Sequence, residues 1–209
     1  KIEKKVPTVV VKRLPRYYRY LGELLKQDIK RISSNALSVK IERDASQIRQ
    51  ILTISAGFGQ QGYGYNVEHL YNEIGDILGL NDGDTTVIVG AGNLGRALAS
   101  HDTFEKRGFK LVGIFDMTLN NWYKINGIEV MSIDKLEEFL NCIEVDIGIL
   151  TVPKAAVMKT AEKLVNCGVK GLMNFSYTEL KFDKDVAVEN VHLSDPLMTL
   201  SYKIKQNQN

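Results

Sequence analysis

Apolar residues recur at helical spacing from Leu14 onward. Leu14, Tyr17, Tyr18, Leu21, Leu24 and Leu25 fall on one face of a helix that opens at Pro15, a residue tolerated in a first helical turn. Ser33 and Ser34 can cap a second helix over about Asn35 to Ile41. Asp44 or Ser46 can cap a third, about Ser46 to Ile54, with Ile48, Ile51 and Leu52 inward. Helix, short connection, helix is the helix-turn-helix pattern. In Gly57-Phe-Gly-Gln-Gln-Gly-Tyr-Gly-Tyr65 glycines then alternate with aromatics and amides, which predicts a tight hairpin of the kind that forms the wing of a winged helix. A fourth helix is predicted from about Val67 to Leu78, and Asn81-Asp-Gly-Asp84 is a turn-rich boundary.

Beyond that boundary the period changes. Thr85–Gly90, Phe109–Asp116, Asp146–Val152 and Lys170–Asn174 are short apolar runs that end in polar or turn residues. Helical patterns lie between them at Leu94–Ser100, Ile133–Asn141 and Lys154–Asn166. That alternation predicts an α/β domain with a parallel sheet and crossover helices. A last strand near Val188–Leu193 and a terminal helix from about Asp195 complete the chain.

Charge is also uneven along the chain, basic at the front and acidic behind. Residues 1–50 hold 13 Lys/Arg against 5 Asp/Glu, a balance of +8, and the other 159 hold 14 against 20, a balance of −6. A basic front module on an acidic domain points to a polyanion as partner of the first part. No apolar run approaches the 18 or so residues of a membrane span, and Lys1–Lys5 lack the apolar run of a signal peptide. Cys142 and Cys167 have neither CxxC nor metal-ligand spacing, so two buried reduced thiols, a cytoplasmic location and no metal are expected.

Gly90-Ala91-Gly92-Asn93-Leu94-Gly95 matches G-x-G-x-x-G, directly after four β-branched residues and before a helical pattern. The first glycine suits a tight turn, the second the approach of a pyrophosphate, the third close packing of helix on strand. Phosphates would then meet free N–H groups at a helix start. Asp116 ends the next strand roughly 20 residues on, where a carboxylate accepts both ribose hydroxyls of NAD(H) and repels a 2′-phosphate. Thr151-Val152-Pro153 and Asn174-Phe175-Ser176 end two further strands at the same sheet edge and are candidate cofactor contacts.

A dehydrogenase would need a proton donor near the nicotinamide, but His69, His101 and His192 form no catalytic set, and little chain remains for a substrate domain. Binding without catalysis is the more economical account. In the front module Lys12, Arg13 and Arg16 are candidates for phosphate contact, as are Arg19, Lys40, Arg43 and Arg49. Ser46, Gln47, Arg49 and Gln50 would face base edges from the third helix, and Gln60, Gln61 and Tyr63 would reach the minor groove from the wing.

Taken together, several motifs resemble the Rex family of redox-sensing transcriptional repressors over essentially the whole chain. They are Lys12-Arg-Leu-Pro15 with Tyr17-Tyr18, Ser33-Ser34, Ser46-Gln-Ile-Arg49, Gly62-Tyr-Gly-Tyr-Asn-Val67, Gly90-Ala-Gly-Asn-Leu-Gly95, Phe115-Asp116, Leu150-Thr-Val-Pro153, and Gly168-Val-Lys-Gly171 with Asn174-Phe175. The resemblance implies a winged-helix domain over 1–80, a Rossmann NAD(H)-binding domain over 81–193, and a helix over 194–209 exchanged between the subunits of a homodimer. It implies that NADH releases operator DNA and NAD⁺ permits binding, a population switch set by differential cofactor affinity.

Two departures stand out. The family's basic and acidic residues after Arg49 are here Gln50 and Ile51, and its aromatic pair leading into the wing is Ile54 and Ser55. This predicts an altered operator or weakened DNA binding, and leaves open an NAD(H)-binding homodimer whose winged helix no longer binds operator. The family also links an Arg near the first helix to a Tyr and an Asp. Arg13 matches the Arg, the other two places hold His101 and His192, and Asp195 lies three residues on as a substitute acid.

Overall fold

The computed structural model describes residues 6–41, 64–102, 104–117, 123–182 and 185–207. The chain divides into two compact units, Lys1–Asp82 and Gly83–Asn209.

In the first unit α1 spans Thr8–Val11, α2 Leu14–Lys26, β1 Arg31–Ile32, α3 Ser34–Ile41, β2 Tyr65–Asn66 and α4 Val67–Ile77. Pro15 sits in the first turn of α2. The Ser33 hydroxyl accepts the Ala36 N–H at 3.0 Å, and the Asn66 side-chain oxygen accepts that of His69 at 2.8 Å, so each helix start satisfies a donor that its own turns cannot. Helices this short are marginal alone, and packing holds them. Leu14, Tyr17, Leu21 and Leu24 of α2 bury against Leu37 of α3 and Val67, Leu70 and Ile74 of α4. Each such side chain contributes about 1.5–3 kcal/mol on burial. Tyr18 stacks on Tyr71 with ring centroids 4.1 Å apart. The strand β1, absent from the sequence expectations, pairs antiparallel with β2 through Arg31↔Asn66 and Ile32↔Tyr65. The expected third helix and most of the wing lie outside the described residues.

The second unit is a seven-stranded sheet. Its elements are β3 (Asp84–Val89), α5 (Asn93–Ala99), β4 (Phe109–Asp116), β5 (Lys124–Ile125), β6 (Ile128–Ser132), α6 (Leu136–Cys142), β7 (Ile147–Leu150), α7 (Lys154–Asn166), β8 (Gly171–Asn174), β9 (Ala187–Asn190) and α8 (Asp195–Gln206). The strand order is β5-β6-β4-β3-β7-β8-β9, parallel throughout except for the β5–β6 hairpin. Leaving out β5, the order is 3-2-1-4-5-6, the doubly wound Rossmann arrangement. Strand alternation feeds two cores. Val87, Val89, Phe115 and Leu150 pack with α6 and α7, while Ile88, Ile114, Ile149 and Val130 pack on the opposite face with Ala99 of α5.

The β5–β6 hairpin was not expected. Its turn is Asn126-Gly127, with φ of 52° and 81°. Asn-Gly between apolar residues favours a two-residue hairpin because both can take positive φ. The pattern over Ile133–Asn141 resolves into a short 3₁₀ turn, Ile133–Lys135, followed by α6. The thiols differ from expectation: Cys142 is exposed and Cys167 half-buried, both free, because they sit at the C-terminal ends of α6 and α7 where the chain emerges to solvent. Among the described residues no helix is long and apolar enough to cross a membrane, and no three acidic, His or Cys side chains group as metal ligands.

Candidate dinucleotide-binding cleft

The order of the sheet reverses at β3, and ligands of doubly wound sheets bind at such a point, outside the carboxyl ends of the strands. A cleft of about 570 Å³ opens there. Gly90 leaves β3 with φ of 106°, and a Cβ on it would lie 2.7 Å from the Thr151 carbonyl oxygen. Only glycine fits that turn. A Cβ on Gly95 would run into the Gly90 carbonyl oxygen, so α5 can approach the turn only without a side chain. Gly92 differs: a Cβ there meets no protein atom within 4 Å and would enter the cleft itself. A narrow turn, a tight helix approach and a backbone bare toward the cleft are what a pyrophosphate requires, so these residues fit a dinucleotide.

Thr151 holds the turn in place. Its hydroxyl donates to the Gly90 carbonyl at 2.6 Å, and its N–H donates to Val89 O at 2.9 Å. Asp116 stands at the end of β4, where its carboxylate accepts the Ala91 N–H at 2.5 Å, which fixes the acid beside the glycine turn. Arg96 steadies the same loop by donating from Nε to Ala91 O at 2.8 Å.

Of the expected cofactor residues, Gly90, Gly92, Asp116, Thr151, Val152, Pro153, Phe175 and Ser176 line the cleft. Ala91, Asn93, Leu94 and Gly95 belong to the turn and helix behind it. Asn174 does not reach it. Fully buried, it donates from Nδ2 to Thr178 O at 2.7 Å and to Asn190 Oδ1 at 2.8 Å, and its oxygen accepts the Ser176 N–H at 2.9 Å. It is a staple of the loop after β8. That loop presents Tyr177, 82% exposed, to the cleft. Val89, Met117, Ile133, Lys154 and Tyr177 line the cleft without having been singled out in the sequence. The signal for them was position, within three residues of a strand end already chosen or at the start of α6's lead-in turn.

The remaining candidates are spread over both units. Lys12 is exposed at the C-cap of α1, Arg16 is exposed in the first turn of α2, and Arg13 is half-buried at the N-cap of α2. Ser46, Gln47, Arg49, Gln50, Gln60, Gln61 and Tyr63 lie outside the described residues. In the second unit His101 follows α5, with its ring 5.8 Å from that of Phe104, and lines a separate cavity of about 230 Å³ with Thr86, Ile88 and Ile149. The carbonyl of His192 accepts the N–H of Asp195 at 3.2 Å at the start of α8.

Fold and cleft together define a Rossmann-type dinucleotide-binding protein with a helical N-terminal module. Residues 81–178 match the family model described as "CoA binding domain", and residues 5–51 match "Putative DNA-binding protein N-terminus". The redox-sensing transcriptional repressor Rex of Thermoanaerobacter pseudethanolicus is 53% identical over 98% of this chain and 92% of its own. RSP, a Rex-family repressor, superimposes with a TM-score of 0.90 in its crystal structure with β-NAD⁺ and operator DNA, at 51% identity over 99% of this chain and 95% of RSP. Its structure with β-NADH gives 0.89 at 49% identity, over 99% and 97%. The chain belongs to the Rex family of redox-sensing transcriptional repressors, regulators and not enzymes.

Proposed function

We propose that this chain represses transcription by binding operator DNA as a homodimer, and that NADH in the Gly90–Asp116 cleft releases it. The single observation that carries this is the cleft at the sheet's switch point, with Gly92 bare toward it and Asp116 fixed at its edge. When bound, NAD(H) supplies the redox signal, and the protein performs no chemistry on it. The glycine turn receives the pyrophosphate and Asp116 the adenosine ribose. Thr151 keeps the turn in register, while Val152, Pro153, Phe175 and Ser176 wall the nicotinamide half.

The DNA side is carried by Lys12, Arg13 and Arg16 for phosphates, with Ser46, Gln47, Arg49 and Gln50 for bases and Gln60, Gln61 and Tyr63 for the minor groove. The +8 balance of residues 1–50 supports this. A homodimer with exchanged α8 helices is supported by α8 itself. It buries none of its own residues, and Leu197, Met198, Leu200, Tyr202 and Ile204 are all exposed. Arg13, His101, His192 and Asp195 are the residues proposed to couple cofactor state to DNA. The protein is proposed to act in the cytoplasm.

Fluorescence anisotropy of a palindromic operator duplex tests the DNA side. The proposal requires saturable binding that weakens steeply with salt, since several phosphates are neutralised. A shallow salt slope, or no binding to that operator, would favour the other reading, in which the altered helix at Gln50 and Ile51 has lost operator contact.

A further inference from the structure

We infer that Lys154 makes the cleft discriminate between reduced and oxidised cofactor, by setting a positive charge against the cationic ring of NAD⁺. The inference rests on the cleft being the NAD(H) site. Four groups of residues follow one another along the carboxyl edge of the sheet. Asp116 ends β4, the glycine turn ends β3, Thr151–Lys154 follow β7, and Phe175–Tyr177 follow β8. With the adenosine ribose at Asp116 and the pyrophosphate at the glycines, the nicotinamide half falls on the β7–β8 side. Lys154 lines the cleft on that side.

The two cofactor forms differ there by a hydride, and so by one positive charge on the ring. A group that reads redox state must respond to that charge, and a nearby ammonium opposes the cation while leaving the neutral ring untouched. Lys154 is exposed, and among the described residues it pairs with no carboxylate that would cancel it. Its place is also unfavourable for the helix. It is the first residue of α7, whose first turn holds no acid, and a cation at a helix N-terminus opposes the macrodipole. The charge therefore has no purpose in stabilising α7. Phe175 and the exposed Tyr177 line the same cleft, on the β8 side of Lys154.

A unit charge opposing another across several ångströms of partly screened space alters a binding constant about tenfold. The test is direct titration of wild type, Lys154→Gln, Lys154→Glu and Lys159→Gln with NADH and with NAD⁺, by ligand fluorescence and calorimetry at one salt concentration. Lys159 is exposed on the same helix but outside the cleft, so its variant removes an equal charge elsewhere. The expected result is NAD⁺ binding tightened about tenfold in Lys154→Gln and further in Lys154→Glu, NADH binding within about twofold of wild type in Lys154→Gln, and an unchanged ratio in Lys159→Gln. Equal weakening of both cofactors would show that Lys154 grips the pyrophosphate, and would overturn the inference, as would no change in either. Wild type that binds neither cofactor would overturn the cofactor reading itself and this inference with it.

Discussion

The two edges of the central sheet are built to opposite ends. At the amino edge one cluster of polar groups is tied together. Asp146 accepts the Thr85 N–H at 3.0 Å and its hydroxyl at 2.8 Å, and it pairs with Lys170 at 2.9 Å. Lys170 reaches Glu144 as well, at 3.0 Å. The knot joins the starts of β3, β7 and β8. At the carboxyl edge the same strands end in a glycine turn, an acid and an open cleft. Groups that answer one another stabilise the sheet, and groups left facing a cavity are available to a ligand. Substitutions at the two edges should therefore separate stability from binding.

Gly95→Ala has the largest expected effect. Its Cβ would overlap the Gly90 carbonyl oxygen, so turn and helix must part. The variant should lose about 3 kcal/mol or more in denaturant melts and give no NADH titration. Asp116→Ala comes next. It removes the carboxylate proposed to hold the ribose, and NADH affinity should fall about 10- to 100-fold while discrimination against NADPH narrows.

Asp146→Asn tests the opposite edge. Lys170 and the Thr85 N–H lower the Asp146 pKa from its ordinary 3.8 to about 2, and Lys170 is shifted upward in turn. A depressed carboxylate pKa stabilises the fold above the unfolded value, near pH 4, and that stability is lost as pH falls toward 2. Because the group is partly solvent-screened, the variant should be about 1–2 kcal/mol less stable at pH 7, with a flatter loss between pH 4 and 2. NADH affinity should be unchanged. A matching loss of affinity would blur the separation of the edges. The smallest effect on stability is expected from Gly92→Ala. Its Cβ meets no protein atom, so the fold should change by less than about 1 kcal/mol, yet NADH should bind about tenfold more weakly because the methyl enters the cleft.

The cleft's frame was legible in the sequence because its parts are local. A β-branched run, a glycine turn and an acid at the next strand end are contiguous features, and the structure brings Gly90, Gly92 and Asp116 together at one cavity. Lys154 and Tyr177 were not legible. For Tyr177, which residue beyond the end of β8 faces the cleft depends on how that loop is stapled, and Asn174 and Asn190 decide it from sixteen residues apart. The same staple explains why Asn174, chosen as a contact, turns inward instead. The β5–β6 hairpin did carry a local signal in Asn126-Gly127. The α2 face was plain from its 3.6-residue period, whereas the two-residue β1 is fixed only by its pairing with β2.

The central claim is that cofactor state in the cleft controls the hold on DNA. The most direct measurement is operator affinity at one salt concentration, once with saturating NAD⁺ and once with saturating NADH. The account predicts binding at least about tenfold weaker with NADH, a coupling of about 1.4 kcal/mol. Operator affinity identical in the two states, with both cofactors bound, would contradict it.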